Sequence, residues 1–472
     1  MADERRFDLV VLGGGMSYVG AIRAAQLGLS VAVVERDRLG GTCLNRGCIP
    51  SKALLESADL LHRARDDGAE FGIAGGEGLT IDYPTLATRK DAVVEKHVRG
   101  VEFLFRKNKV AVVAGTGRLT GPTSVHVTGG SAGDVDLVAG DAIVATGSAP
   151  RLLPGLEIDG ERIITTDEAL KRTDLPARAT IIGAGAVGVE WASLYTDLGS
   201  SVTLVEYLDR IVPLEDEQVS RELARSFTRR GVTIHTGSTV VPESIERTAD
   251  GLRFEVRTNG DGATTRVESD VILVAVGRRP LTDDIGLEQL DGLKLERGFV
   301  MVDGFMRTGA EHVYAIGDIV PGYQLAHVAA HEAKVAAECI AGRSPEPVDM
   351  TLMPRVTFCR PEIASVGLTE AQAREQGNEV KVGSFPFRAL GKATIVGETE
   401  GFVKLVADAD SGVLLGAHLF GPSAGDLLAE LVLARVVEAT AEEIAMSVHA
   451  HPTLTEAIAE AAMAVDGAPI HI

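Results

Sequence analysis

The sequence predicts an α/β chain in which a strand–glycine turn–helix–strand unit occurs twice and a C-terminal α+β unit follows. Three observations carry this. FDLVVLGGGMSYVGAIRAAQLGLSVAVVE closes on Glu35, and ATIIGAGAVGVEWASLYTDLGSSVTLVE closes on Glu206. Each reads as a buried apolar strand, a glycine turn, an amphipathic helix, a second strand and an acid. The third is the Pro-marked stretch GRSPEPVDM, after which the pattern changes to strands such as FVKLVAD and VLLGAHLF among Ala-rich helices. At 472 residues the chain has room for about three domains of the usual ~150 residues.

Between the repeats, the region from about Val110 to Thr146 has short alternating stretches rich in Gly and Thr. It suggests a small antiparallel element and a returning strand, DAIVATGS. A similar strand, DVILVAVGRRP, closes the second unit near Gly277. HVYAIGD, ending at Asp318, reads as another buried strand, followed by a helix from about Leu325 to Ala341. Each repeat is the opening βαβ of a Rossmann-like dinucleotide-binding domain, so two nucleotide sites are expected.

Composition narrows the class. With 45% hydrophobic and 24% charged residues the chain is globular. Its 46 Lys and Arg against 67 Asp and Glu leave −21, a field that repels nucleic acid and anionic membranes but suits a basic protein partner. No apolar run reaches the ~18–20 residues of a membrane span. The opening MADERRFDLVVLGGG passes from charges straight into a strand, without the apolar core of a signal peptide. Four cysteines in such a chain do not make an extracellular framework. The expectation is a cytoplasmic enzyme whose disulfide, if any, works in catalysis.

In the second glycine motif, Gly183-x-Gly185-x-x-Gly188, the glycines allow a tight turn, close approach of a pyrophosphate and helix–strand packing. Glu206, 23 residues after Gly183, is placed to bind a ribose 2′-OH and to repel a 2′-phosphate, which favours NAD over NADP. The first motif keeps Gly13, Gly14, Gly15 and Glu35 but is one residue short. Gly13 to Gly28 is 15 residues where Gly183 to Gly199 is 16, while both runs from there to the acid are 7. Counting from Gly13, Tyr18 occupies the place of the third glycine, and a modest weakening of cofactor binding is expected there.

GGTCLNRGCIPSK is more specific. In a regular helix Cys43 and Cys48 would point about 140° apart, whereas a disulfide needs Cα atoms within roughly 4.4–6.8 Å. The helix must therefore be distorted, which Gly41, Gly47 and Pro50 permit. A thiol at a helix N-terminus is expected to have a lowered pKa. At the C-terminus, HAHPTLTE offers His451 and Glu456 as a histidine oriented by a carboxylate, the group that a dithiol–disulfide cycle needs to move protons. His449 reads as structural, no metal site is expected, Cys339 and Cys359 read as core or surface thiols, and Trp191 reads as a packing residue.

Together the two repeats, GGTCLNRGCIPSK, YAIGD, FPFRALGKA and HAHPTLTE resemble the flavoprotein disulfide reductases over almost the whole chain, and most of all those that oxidise dihydrolipoamide. The resemblance implies an FAD domain (1–149), an NAD domain (150–277), a central segment completing the FAD domain (278–347) and an α+β dimerisation domain (348–472). It implies that Cys48 faces the flavin, that Cys43 exchanges with the substrate, and that Lys52 sits by flavin N5 with Glu190 as its ion partner. Asp318 would hold the ribityl chain and Ala326 would bring a helix dipole to the pyrimidine oxygen. Further FAD contacts would come from Gly41, Thr42, Gly115, Thr146, Gly147 and Ser148, and from Gln324, Leu325 and His327. NAD would be met by Gly183, Ala184, Gly185, Ala186, Val187, Gly188 and Glu206, with Val240 and Gly277. His451 and Glu456 would come from the other subunit of a homodimer. The implied partner is the lipoyl-bearing acyltransferase of a 2-oxo-acid dehydrogenase complex. Reductases of glutathione- or mycothiol-type disulfides share the Cys and His–Glu pairs, but they usually take NADP, against which Glu206 argues. A mercuric reductase would want a C-terminal cysteine pair, and the chain ends GAPIHI. A degenerate scaffold subunit is the non-enzymatic alternative, against which the retained Cys43, Cys48, His451 and Glu456 argue.

Overall fold

The computed structural model describes residues 3–130 and 133–472, and the chain divides into two compact units. The first comprises residues 1–53, 87–151 and 278–350. Its sheet runs in the order Ala111–Ala114, Val31–Glu35, Asp3–Leu12 and Val135–Val144, all parallel. The Val135–Val144 strand serves two partners. Its last residues pair in parallel with Val313–Ala315, and its first with the antiparallel Ser124–Thr128, which continues to Thr116–Gly121. Central strands covered on both faces need unbroken apolar runs. Val10, Val11, Ala32 and Val33 supply them, all fully buried.

This topology gathers the candidate site segments. Gly13 follows Leu12, Gly115 follows Ala114, Thr146 lies two residues past Val144, and Gly317 two past Ala315. All stand at the carboxyl edge of one parallel sheet, where ligands of open α/β sheets bind.

The second unit comprises residues 54–86, 152–277 and 351–472. It holds a parallel sheet in the order Thr233–His235, Ser201–Val205, Arg178–Ile182, Val271–Val274 and Ile163–Thr165. A small antiparallel sheet is built around Gly251–Thr258. The C-terminal part is a five-stranded antiparallel sheet from Arg355–Thr357 to Val380–Pro386, with the helices Ala424–Val436 and Glu456–Val465 burying Leu428, Leu431, Ile458 and Ala461 in one core. Within this unit Lys404 is buried but reaches Asp216 at 3.0 Å, and Arg355 reaches Glu215 at 3.2 Å. Buried charges persist because each has its counter-ion. Among the described residues, no helix is long and apolar enough to cross a membrane.

Candidate active site

The cysteine pair lies at a helix break. One short helix spans Gly41–Arg46 and another begins at Cys48, with Gly47 between them in a non-helical conformation. A side chain at Gly47 would put its Cβ 2.9 Å from the Thr42 carbonyl oxygen and 3.2 Å from the Cα of Cys43. The break therefore folds the second cysteine back on the first, the distortion that the spacing requires. Both are thiols in this structure and share a hydrogen bond. The longer helix starts at Cys48, whereas the Cys43 thiol is pushed up rather than lowered. Its hydrogen bond to Cys48 is the main cause and burial the next. The helix-terminus argument considered each thiol alone, whereas in the dithiol form the neutral Cys43 is held by its neighbour. Lys52, one turn after Cys48, acts in the opposite direction.

This segment abuts the first glycine loop. Gly40 N–H donates to Gly14 O at 2.7 Å, and a Cβ on Gly41 (φ +57°) would lie 2.6 Å from the Cα of Gly15. Thr42 follows in the same short helix. Glu35 accepts from Gly14 N–H at 2.7 Å and from Asp37 N–H at 2.8 Å, and its carbonyl accepts from Gly115 N–H at 2.9 Å. Tyr18 does not take the third-glycine place. It is the first residue of the helix Tyr18–Gln26, half-buried, and its phenol is pushed up by burial and then by the neighbouring Cys43. Ser17 stands on the Gly13 carbonyl instead, its Oγ donating to that oxygen.

The returning strands supply a second cluster. Thr146 Oγ1 donates to Leu281 O at 2.6 Å, Gly147 is left-handed (φ +75°), and Ser148 Oγ donates to Asp318 Oδ2. Arg278 donates to Ser148 Oγ at 2.6 Å, and Gln324 donates to the Asp318 carbonyl at 3.2 Å. The helix Ala326–Ile340 starts after Leu325 with no side-chain cap, so its first amides lack an intrahelical acceptor; His327 lies in that turn. Beneath it, buried Glu332 accepts the Gly317 N–H at 2.6 Å. Burial pushes its carboxyl up to about 8, against the Gly317 N–H and with the Asp318 charge adding to the rise.

In the second unit Glu206 repeats Glu35, accepting from Ala184 N–H at 2.6 Å and Leu208 N–H at 2.9 Å. The helix Ala186–Leu198 begins directly after Gly185, with Ala186, Val187 and Gly188 in its first turn. Val240 ends the short strand that follows Glu206 through Ser238 N–H, and Gly277 (φ +101°) follows the returning strand. Glu190 is buried and accepts the Phe358 N–H at 2.9 Å. Trp191 is also buried and packs on Tyr195, with ring centroids 5.3 Å apart.

His451 Nδ1 lies 2.9 Å from Glu456 Oε1, and Thr453 N–H donates to Glu456 Oε2 at 2.9 Å. Burial raises the Glu456 carboxyl, but His451 and the Thr453 amide outweigh it and hold the group below its ordinary value. The His451 side chain is 79% exposed, with its Nδ1 held by Glu456. His449 differs: it is buried against Glu430 at 3.0 Å.

Both loops fit a dinucleotide. A Cβ at Gly13 or Gly183 would collide with the Ala145 or Ala275 carbonyl oxygen, at 2.2 and 2.5 Å. Each loop thus presents bare backbone beside an oriented acid. Sequence reasoning missed Ser17, Gly20, Arg278 and Glu332. Of these only Gly20, a glycine inside a helical pattern, carries a signal of close packing.

Residues 7–333 match the pyridine nucleotide-disulphide oxidoreductase family, and residues 353–462 match its dimerisation domain. The chain is 45% identical to a dihydrolipoyl dehydrogenase of Bacillus subtilis, with all of both chains covered. It is 42% identical to one of Corynebacterium glutamicum, with 98% of each covered. Among solved structures it resembles LpdA of Mycobacterium tuberculosis (TM-score 0.87, 29% identity, 97% of this chain and 98% of that one). It shares its fold with the flavoprotein disulfide reductase RclA of Escherichia coli (TM-score 0.85, 24% identity, 97% and 99%).

Proposed function

The chain belongs to the pyridine nucleotide-disulphide oxidoreductase family, whose members work with FAD and NAD, and we propose that it oxidises protein-bound dihydrolipoamide and reduces NAD. The observation that carries this is the Cys43–Cys48 pair, folded together at Gly47 and set against the first glycine loop.

In the oxidised enzyme the pair is a disulfide. One dihydrolipoamide thiol gives its proton to His451 of the partner subunit, and its sulfur attacks Cys43 Sγ. The Cys43–Cys48 bond breaks and Cys48 leaves as a thiolate. The second substrate thiol then attacks the mixed disulfide, releasing lipoamide and leaving Cys43 reduced. FAD, when bound, relays the electron pair from the thiols to NAD. The thiols close again to the disulfide, and the sum is dihydrolipoamide and NAD⁺ to lipoamide, NADH and a proton.

Each chain residue has a stated task. Glu456 fixes the His451 tautomer and stabilises the imidazolium. Gly13–Gly15, Glu35, Gly41, Thr42 and Gly115 take the adenosine and pyrophosphate of FAD. Lys52, Thr146–Ser148, Asp318 and Gln324–His327 take the rest. Gly183–Gly188, Glu206, Val240 and Gly277 take NAD. The dimerisation-domain match supports a homodimer, and the exposure of His451 suits a base presented to a neighbouring subunit. We assign the enzyme to the cytoplasm and its docking to the lipoyl-bearing acyltransferase of a 2-oxo-acid dehydrogenase complex, to which a net charge of −21 would offer a complementary field for a basic segment.

Steady-state NAD reduction by dihydrolipoamide tests this, run beside glutathione and mycothiol disulfides with NADH and NADPH. Dihydrolipoamide with NAD should dominate. Faster turnover of either small disulfide would move the substrate assignment.

A further inference from the structure

The second glycine loop shows what its third glycine does. Gly188, five residues after Gly183, lies so close to the Gly183 carbonyl that an added Cβ would fall 1.8 Å from that oxygen. The first loop is one residue shorter and solves the same contact differently. Four residues after Gly13 stands Ser17, 3% exposed, its hydroxyl donating to the Gly13 carbonyl. Gly13 itself has little freedom to shift, being left-handed (φ +108°) and packed on the Ala145 carbonyl. From this fixed point the chain turns tightly, with Tyr18 N–H on Gly15 O at 3.1 Å and Val19 N–H on Met16 O at 3.2 Å. Among the described residues, the amides of Gly15, Met16 and Ser17 have no hydrogen-bond acceptor.

We propose that Ser17 is the positioning residue of a shortened pyrophosphate cradle: by bridging to the Gly13 carbonyl it holds the turn in which the Gly15–Ser17 amides are free to receive FAD. The hydroxyl does two things. It satisfies the Gly13 carbonyl, and it closes a turn too short for the glycine contact of the second motif. Removing it leaves that carbonyl unpaired and takes away the side-chain bond that closes the turn.

The inference rests on the first loop holding FAD, and its test uses no thiol substrate, so its failure is distinct from a failure of the dihydrolipoamide assignment. The holoenzyme and Ser17→Ala are compared by flavin fluorescence during dialysis and during a temperature ramp. The single tryptophan, Trp191, lies in the second unit and reports unfolding there. Ser17→Ala should release FAD about fivefold faster, equivalent to about 1 kcal/mol. Its flavin-release temperature should fall while the Trp191 transition stays in place. A glycine inserted after position 17 in the Ser17→Ala chain, restoring the length of the second loop, should recover retention. Where Ser17→Ala does not accumulate folded, Ser17→Gly prepared in excess FAD gives the same readout. Wild-type retention without the hydroxyl, or joint loss of flavin and the Trp191 transition with no recovery on insertion, would overturn the proposal.

Discussion

The two glycine loops of this chain begin alike and diverge within a few residues. Their first glycines have φ of +108° and +98°. Their acids hold the next amide at 2.7 and 2.6 Å, and the amide two residues past the acid at 2.8 and 2.9 Å. The helices that follow do not match: 9 residues, Tyr18–Gln26, against 13, Ala186–Leu198. The strand ends and the acid are fixed by the parallel sheet, and the entry into the helix is the adjustable part. Losing one residue there removes about a turn of helix and moves the need for a small residue elsewhere. In the second loop it falls on Gly188, inside the turn. In the first unit it falls on Gly20, where a Cβ would meet the Ala333 carbonyl oxygen of the neighbouring helix at 2.5 Å.

The largest effects separate the thiol chemistry beside the first loop from nucleotide binding at the second. Cys43→Ser and Cys48→Ser should each reduce dihydrolipoamide turnover to background while leaving NAD binding intact. Their spectra should differ. Cys43→Ser should leave Cys48 as a thiolate against the flavin, with a long-wavelength absorption band, and Cys48→Ser should lack it. The reverse pattern would exchange the two roles. Next, Gly188→Ala should lower kcat/KM for NAD at least a hundredfold, about 2.8 kcal/mol, because its Cβ has no room above the Gly183 carbonyl. The flavin spectrum should not change. A mild effect would mean that the second loop can rebuild itself as the first has done.

How much of this was legible follows from sequence distance. The repeats, both acids and the opened Cys43–Cys48 helix are local patterns, and a glycine between two cysteines already signals the break. What stayed hidden joins distant segments. Arg278 meets Ser148 across 130 residues, Ser148 meets Asp318 across 170, and Gly20 is explained only by Ala333. Ser17 was hidden for another reason. Counting positions from Gly13 assumes that both helices start at the same step, and the first starts later. Spacing shows that the two thiols are close, but not that a hydrogen bond to Cys48 pushes the Cys43 pKa up.

A smaller effect tests the likeness of the acids. Glu206 has its two oxygens engaged by backbone amides, and on the proposed reading it meets the NAD ribose, so NADH should be preferred to NADPH by at least ~10-fold in kcat/KM, roughly 1.4 kcal/mol. Exposed Tyr207, rather than an arginine, follows it. Equal rates with NADPH would break the parallel between Glu35 and Glu206.

The smallest effect concerns the helix that covers the first unit. Glu332 precedes Ala333, the residue facing Gly20, and accepts the Gly317 N–H beside Asp318. Its carboxyl is raised from an ordinary 4.5 to about 8, by burial first and with the Asp318 charge adding to it. The folded chain therefore holds this proton where the unfolded chain has lost it. The stability it confers is fully present below about pH 4.5 and declines as pH rises towards 8. Glu332→Gln keeps an acceptor for Gly317 and has no proton to lose. Its flavin-release temperature should match that of the wild type near pH 5 and exceed it at pH 8, by about 2–4 °C for each kcal/mol that ionisation of Glu332 costs the fold. Flavin-fluorescence melts at both pH values read this directly. If the two proteins kept the same difference at pH 5 and pH 8, the proton on Glu332 would have no part in holding the Gly317–Asp318 turn, and retention in the first unit would be set by the glycine loop alone.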